Sequence, residues 1–171
     1  MKSSVLLVED DPVLNQLLVK ELRKAGYELD SATSWQQARE RVIAFAPDLV
    51  LLDVNLPDAS GFGPLSHLAG TRPVVMLTAY GSVETAVEAM KRGAYDFLTK
   101  PVHLDRLDIL IRRALREREV ESENRLLHEQ LDAKFGLDQI IGQSAAMQEV
   151  FETIRQVAPT RATVLVQGES G

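Results

Sequence analysis

The sequence predicts an α/β fold: a doubly wound five-stranded parallel sheet followed by an extended helix. Two observations predict it. Short apolar runs rich in β-formers alternate with stretches of helical period through the first two thirds of the chain, and that alternation implies right-handed crossovers and a sheet covered on both faces. Several of these runs also end in a polar residue, where buried parallel strands hold their ligands, in the crevice beyond their carboxyl ends.

Composition bounds the function. The chain has 171 residues and a formal charge of -6, room for one ordinary domain with an appendage. The acidic balance argues against nucleic acid as a direct partner, because phosphate binding wants a basic patch. Without cysteine, disulfides and thiolate metal sites are excluded. No apolar stretch approaches the ~18 to 20 residues needed to span a bilayer, and Met1-Lys2-Ser3-Ser4 runs directly into a strand, so a soluble, cytoplasmic protein with no membrane partner is expected.

The first strand is Val5-Leu6-Leu7-Val8, ending in Glu9-Asp10-Asp11. Leu14, Leu17, Leu18 and Leu22 then recur at helical spacing between Pro12 and Gly26, a start and a stop. Residues 28–32 form a more polar strand, placed at the sheet edge, and Ser34 caps a helix carrying Ala38, Val42 and Phe45 inward. The run 48–53 is buried on both faces and delivers Asp53 to its end. A short helix at 63–68 precedes the fourth strand, 73–77, which ends in Thr78-Ala79. A helix at 82–92 puts Val83, Val87 and Met90 on one face and stops at Gly93. The fifth strand, 96–99, ends in Lys100-Pro101.

Two strands that both end in carboxylates would gather three or four negative charges if they lie side by side. At ~4 Å and an effective dielectric near 20, each such pair repels by roughly 4 kcal/mol, so the cluster needs a counter-charge. Magnesium suits it: this hard cation is typically held by one or two carboxylates plus a phosphate. Asp11, followed by Pro12, also reads as a helix N-cap. Both readings can hold, with Asp11 capping while Glu9 and Asp10 face a metal.

Acidic residues after the first strand, Asp53 with Pro57 four residues on, Thr78-Ala79 after the fourth strand and Lys100-Pro101 after the fifth together resemble the receiver domain of two-component response regulators, over roughly residues 2–115. The resemblance implies the flavodoxin-like strand order 2-1-3-4-5, with the first and third strands adjacent at a topological switch point. It implies that Asp53 is the phosphoacceptor, and that Glu9, Asp10, Asp53 and the backbone carbonyl of Asn55 hold magnesium. Lys100 and Thr78 would assist at the phosphoryl group. The metal pair is Glu-Asp where many relatives have Asp-Asp, which moves ligands without abolishing the site. Lys100-Pro101 would be cis. Thr78 would swing toward the new phosphoryl and Phe97 turn inward behind it, although Phe97 also reads as an ordinary core aromatic. Asn55 and Tyr80 occupy positions that tune acyl-phosphate lifetime in relatives. His67, His103 and His128 read as surface or packing residues, and Trp35 as packing at a helix start.

Past the receiver no Gly or Pro interrupts before Gly136, so one helix from about 103 to 133 is expected. Its inner face would carry Leu107, Leu110, Ile111 and Leu115, and its exposed half ion pairs such as Arg116 with Glu119. It reads either as a solvated signalling helix or as a dimerising linker. The segment from Gln139 to the end resembles the opening of the AAA+ domain that follows the receiver in NtrC-type activators of sigma-54 RNA polymerase. Gly168 would open the ATP loop there, but the sequence stops at Gly171 before any lysine, so ATP hydrolysis and the polymerase would concern only a full-length parent. The expected organisation is a receiver at 1–117, a helical linker at 118–136 and an incomplete AAA+ start at 137–171.

The leading expectation is therefore a regulatory switch phosphorylated by a sensor histidine kinase, acting as a homodimer through receiver and linker. An Asp-nucleophile magnesium phosphatase is the alternative, weakened because Asn55 offers no acid-base carboxylate two residues after Asp53. A flavodoxin-like cofactor binder is a third reading, opposed by acidic residues where a flavin phosphate would need backbone amides.

Overall fold

The computed structural model describes residues 2–59, 62–79, 83–135, 144–161 and 163–168. Two compact units divide the chain, Met1–Ser122 and Glu123–Gly171.

The first unit is built on five parallel strands, β1 (Ser4–Val8), β2 (Glu28–Ala32), β3 (Leu49–Asp53), β4 (Val74–Thr78) and β5 (Asp96–Thr99), in the order 2-1-3-4-5. Side-chain alternation divides the core in two. Leu49 and Leu51 face one layer with Leu18, Leu22, Leu107 and Ile111, while Val50 and Leu52 face the other with Ala38, Leu65, Leu68 and Ala89. Every residue of β3 is buried, as an uninterrupted apolar run demands of a central parallel strand. The polar strand β2 lies at the edge.

Helices α1 (Pro12–Lys24), α2 (Trp35–Phe45), α3 (Gly63–Leu68) and α4 (Val83–Lys91) connect the strands. Asp11 caps α1, its Oδ1 accepting from the backbone of Val13 at 2.8 Å and of Leu14 at 3.1 Å. The helix ends at Gly26, whose φ of +99° lets the Tyr27 amide return to the Leu22 carbonyl at 3.2 Å, a closing bond of the Schellman type.

Two helical faces differ from expectation. Leu18 and Leu22 are buried and Leu14 packs against the core as expected, but Leu17 is about half exposed and Asn15 takes a buried place on that face. In α4, Val87 and Met90 are 45% and 47% exposed, whereas Ala89 is buried. Just past the helix, Gly93 approaches Ala69 so closely that a Cβ there would lie 2.9 Å from the Ala69 Cβ.

Helix α5 runs unbroken through Leu104–Phe135. Leu107, Leu110, Ile111 and Ala114 are buried against the sheet. The helix is also tied to the amino-terminal ends of the strands. Tyr27 donates to Asp108 at 2.7 Å, Tyr95 donates to Glu117 at 2.8 Å, and Arg118 donates to the Asp48 carbonyl. Among the described residues the ion pairs along the helix are Arg112 with Asp108, Arg113 with Glu117 and Arg125 with Glu129, and the expected Arg116 with Glu119 is not one of them.

In the second unit, Ser144 caps α6 (Ala145–Val157) by accepting from the Met147 amide at 3.3 Å. Phe151 is buried on this helix, while Val150 and Ile154 are exposed. Residues 163–168, with Gly168 at their end, have no regular structure. Among the described residues no helix is long and apolar enough to cross a membrane.

Candidate functional site

Strand register assembles the site. β1 pairs with β3 so that Val8 stands opposite Leu52, and one further step sets Glu9 beside Asp53. β4 pairs with β5 so that Thr78 stands opposite Thr99, which brings Lys100 to the same edge. The Glu9 backbone is fixed from two sides, its amide donating to Ala32 at 3.0 Å and its carbonyl accepting from Asn15 Nδ2 at 2.9 Å.

Lys100 holds the centre. Its Nζ donates to Asp53 Oδ2 at 2.6 Å and to Glu9 Oε1 at 2.7 Å, and its backbone amide donates to the Thr78 carbonyl at 2.7 Å. The Lys100-Pro101 peptide is cis. Asp53 Oδ1 accepts from the Asn55 amide at 3.1 Å. Glu9, Asp53 and Thr78 are all buried, whereas Asp10 is exposed at the rim.

Burial pushes the Glu9 carboxyl above the usual carboxylate range; Asp53's charge adds to that, and Lys100 pulls it back only in part. For Lys100 burial works against the charge, but its hydrogen bonds to Asp53 and Glu9 outweigh it and hold the ammonium above the ordinary lysine range. One cation thus faces two buried carboxylates.

Glu9, Asp10 and Asp53 each offer a carboxylate oxygen, and these oxygens lie within 4.8 Å of one another. Glu9 Oε2 is buried with no hydrogen-bond partner. A buried oxygen left unpaired carries a desolvation cost, and a hard divalent cation would remove it. The donor set therefore fits magnesium.

The structure gathers Glu9, Asp10, Asp53, Asn55, Thr78 and Lys100 at one end of the sheet. Phe97 is half-buried on β5 and packs against the layer that contains Met76 and Leu52. Tyr80 lies outside the described residues, and Gly168 belongs to the other unit. Trp35 packs edge-on against His67, with ring centroids 5.8 Å apart.

Two contributors escaped the sequence reading. Asn15 was concealed by the leucine repeat around it; a polar residue at spacing 15, 18, 22 on a buried face was the available signal. Asp58 accepts from the Trp35 amide on one carboxylate oxygen and the Gln36 amide on the other, both at 2.8 Å. Nothing local in the sequence marks that contact.

A sheet of this order, with an acidic cluster at the switch point between β1 and β3 and a lysine after β5, defines a phosphoacceptor receiver. The chain belongs to that family: the response regulator receiver domain matches residues 5–112, and the sigma-54 interaction domain matches residues 140–171. This is the domain order of NtrC-type two-component response regulators, which sensor histidine kinases phosphorylate. Transcriptional regulatory protein ZraR of Escherichia coli is 39% identical over 171 residues, covering 98% of this chain and 37% of ZraR. Response regulator protein PilR of Pseudomonas aeruginosa is 37% identical over 173 residues, covering 99% of this chain and 37% of PilR. The crystal structure of NtrX from Brucella abortus superposes with a TM-score of 0.71 at 33% identity, covering 94% of this chain and 35% of NtrX. The chain thus spans 37% of the length of these curated relatives. The magnesium phosphatase alternative finds no support among them.

Proposed function

We propose that Asp53 accepts a phosphoryl group from a sensor histidine kinase, and that its phosphorylation switches the receiver surface and the linker helix of a sigma-54-dependent AAA+ activator. The observation that carries this reading is Lys100 bridging Asp53 and Glu9 beside the unpaired Glu9 Oε2.

Glu9, Asp10 and Asp53, with the Asn55 carbonyl, would hold magnesium. When bound, the metal shields the negative charge that the attacking carboxylate and the phosphoryl oxygens bring together. The Asp53 carboxylate attacks phosphorus in line. A bond from its oxygen forms as the bond from phosphorus to the donor imidazole nitrogen breaks, and the electron pair leaves with that nitrogen. Lys100, already positioned, neutralises charge on the transferring group and needs no reorganisation at the moment of reaction.

The new phosphoryl carries close to two negative charges and three strong acceptors. The Thr78 hydroxyl donates to one of them and Phe97 turns inward behind it, which reshapes the surface of α4 and β5. Asn55 and Tyr80 tune how long the acyl phosphate survives. Along α5, Val120, Leu126, Leu127 and Leu131 are exposed apolar residues, which supports a homodimer through receiver and linker. The match at residues 140–171 supports ATP and sigma-54 RNA polymerase as partners of the full-length parent. For this chain we assign phosphoacceptor chemistry, in the cytoplasm.

Incubation with magnesium and acetyl phosphate should add one phosphoryl group to the intact protein, read by mass, and none to Asp53→Asn. Equal labelling of the two overturns the assignment.

A further inference from the structure

The loop after Asp53 is pinned at both ends. At its start the Val54 amide donates to the Leu77 carbonyl at 3.0 Å, and the Leu56 side chain is buried in the core. At its far end the Asp58 carboxylate spans to another crossover and accepts from Trp35 and Gln36, the first two residues of α2, at 2.8 Å each. The third amide of that helix, Gln37, is satisfied locally by Ser34 Oγ at 3.3 Å. Capping of α2 is therefore divided between a local hydroxyl and a carboxylate borrowed from the loop that carries Asn55.

The contact closes a ring around the acidic cluster. Glu9 donates its amide to Ala32 at the end of β2; two residues later Ser34 opens α2; Asp58 grips the start of α2; and the loop leads back through Asn55 to Asp53, which Lys100 ties to Glu9. Asp58 adds a tether from the α2 side to a stretch otherwise held by Leu56 in the core and by the Leu56 amide donating to the Ala59 carbonyl at 3.2 Å. A charged acceptor at a helix N-terminus is also favoured by the helix dipole.

We infer that Asp58 is a positioning residue: by fastening the Asn55 loop to the N-terminus of α2, it sets the Asn55 carbonyl against Glu9, Asp10 and Asp53, and so governs magnesium affinity and phosphoryl lifetime. This rests on the magnesium and Asp53 roles proposed above. Groups that orient metal ligands commonly change metal affinity by 10- to 100-fold when removed; acting through one backbone carbonyl, Asp58 belongs near the lower end.

The test uses the intact chain and compares Asp58→Ala, Asp58→Asn and Ser34→Ala with the unmodified protein. Magnesium binding is titrated by the fluorescence of Trp35, the sole tryptophan, and by the magnesium-dependent rise of the thermal midpoint. The half-life of the phosphorylated form is followed by mass. Asp58→Ala should weaken magnesium binding by about tenfold and alter the half-life by several fold. Asp58→Asn, which keeps one acceptor oxygen, should fall between. Ser34→Ala removes a bond from the same helix end without touching the loop, and should lower the metal-free thermal midpoint while leaving magnesium affinity unchanged. Equal magnesium affinity in Asp58→Ala and the unmodified protein overturns the positioning role while labelling at Asp53 stands. Equal weakening in Ser34→Ala and Asp58→Ala also overturns it, since helix fraying alone would then suffice. If the unmodified protein neither binds magnesium nor takes the phosphoryl, the reading of the site itself fails, and this inference with it.

Discussion

The Lys100 ammonium lies 2.6 Å from Asp53 Oδ2, and the same nitrogen is shared with Glu9 at 2.7 Å. A single cation therefore balances two buried carboxylates, and removing it leaves both uncompensated. Breaking a buried pair by deleting one partner costs up to 3–5 kcal/mol; with Lys100 still 20% exposed, about 2–3 kcal/mol is expected for Lys100→Ala without metal. Magnesium should then restore more stability to the variant than it adds to the unmodified protein. Urea unfolding with chelator and with magnesium checks both halves.

Alkaline stability should respond to Tyr95. Burial, and then its hydrogen bond to Glu117, raise its phenol from the ordinary 10.0 to about 12. Between those values the folded chain keeps a proton that the unfolded chain has released. The stability this contributes is complete below pH 10 and is lost as the pH rises through about 12. Tyr27 is raised in the same direction by burial and by Asp108, so Tyr95→Phe should make the alkaline decline shallower without abolishing it. Unfolding free energies across that interval, with tyrosinate absorbance as a second readout, test the assignment.

Asp11 separates helix capping from metal binding. Its Oδ1 accepts from Val13 and Leu14, and it is not one of the three carboxylates that gather at the cluster. Asp11→Ala should cost about 1 kcal/mol through the lost N-cap, whereas Asp11→Asn keeps the acceptor and should cost only a few tenths. Neither should alter magnesium affinity by more than about twofold, since a group outside the ligand set contributes only a screened surface charge. Chemical denaturation and metal titration of the two variants give the answer.

Strand ends were legible because β1, β3 and β4 are apolar runs that stop at Glu9, Asp53 and Thr78, and register in a parallel sheet carries those stops to one edge. The edge position of β2 followed from its polarity. What stayed hidden depended on facing and on distance. The leucine repeat of α1 pointed to Leu17, yet the packed face contains Asn15, because a buried carbonyl at Glu9 needs a donor there. In α4 the buried position is Ala89 while Val87 and Met90 stay half exposed, a choice that local periodicity does not contain. Asp58 meets α2 from more than 20 residues away; only the tertiary fold brings them together.

Asn15 yields the sharpest prediction at the site. Its Nδ2 donates to the Glu9 carbonyl at 2.9 Å from a nearly buried position, steadying the residue whose carboxylate faces Lys100. Asn15→Ala leaves that carbonyl without its side-chain donor and should cost about 1–3 kcal/mol. Asn15→Asp is nearly the same shape but presents acceptor oxygens to an acceptor and adds a charge near Glu9 and Asp53, so at neutral pH it should cost more than the alanine. Protonation restores a donor, so the gap between the two variants should narrow as the pH falls toward the carboxylate range. Because a shifted Glu9 backbone carries its carboxylate with it, both variants should weaken magnesium binding. Unfolding measured on both variants from neutral to mildly acidic pH checks the order of costs and the narrowing; a gap that stays constant with pH, or an aspartate variant as stable as the unmodified protein, would remove Asn15 from the support of Glu9.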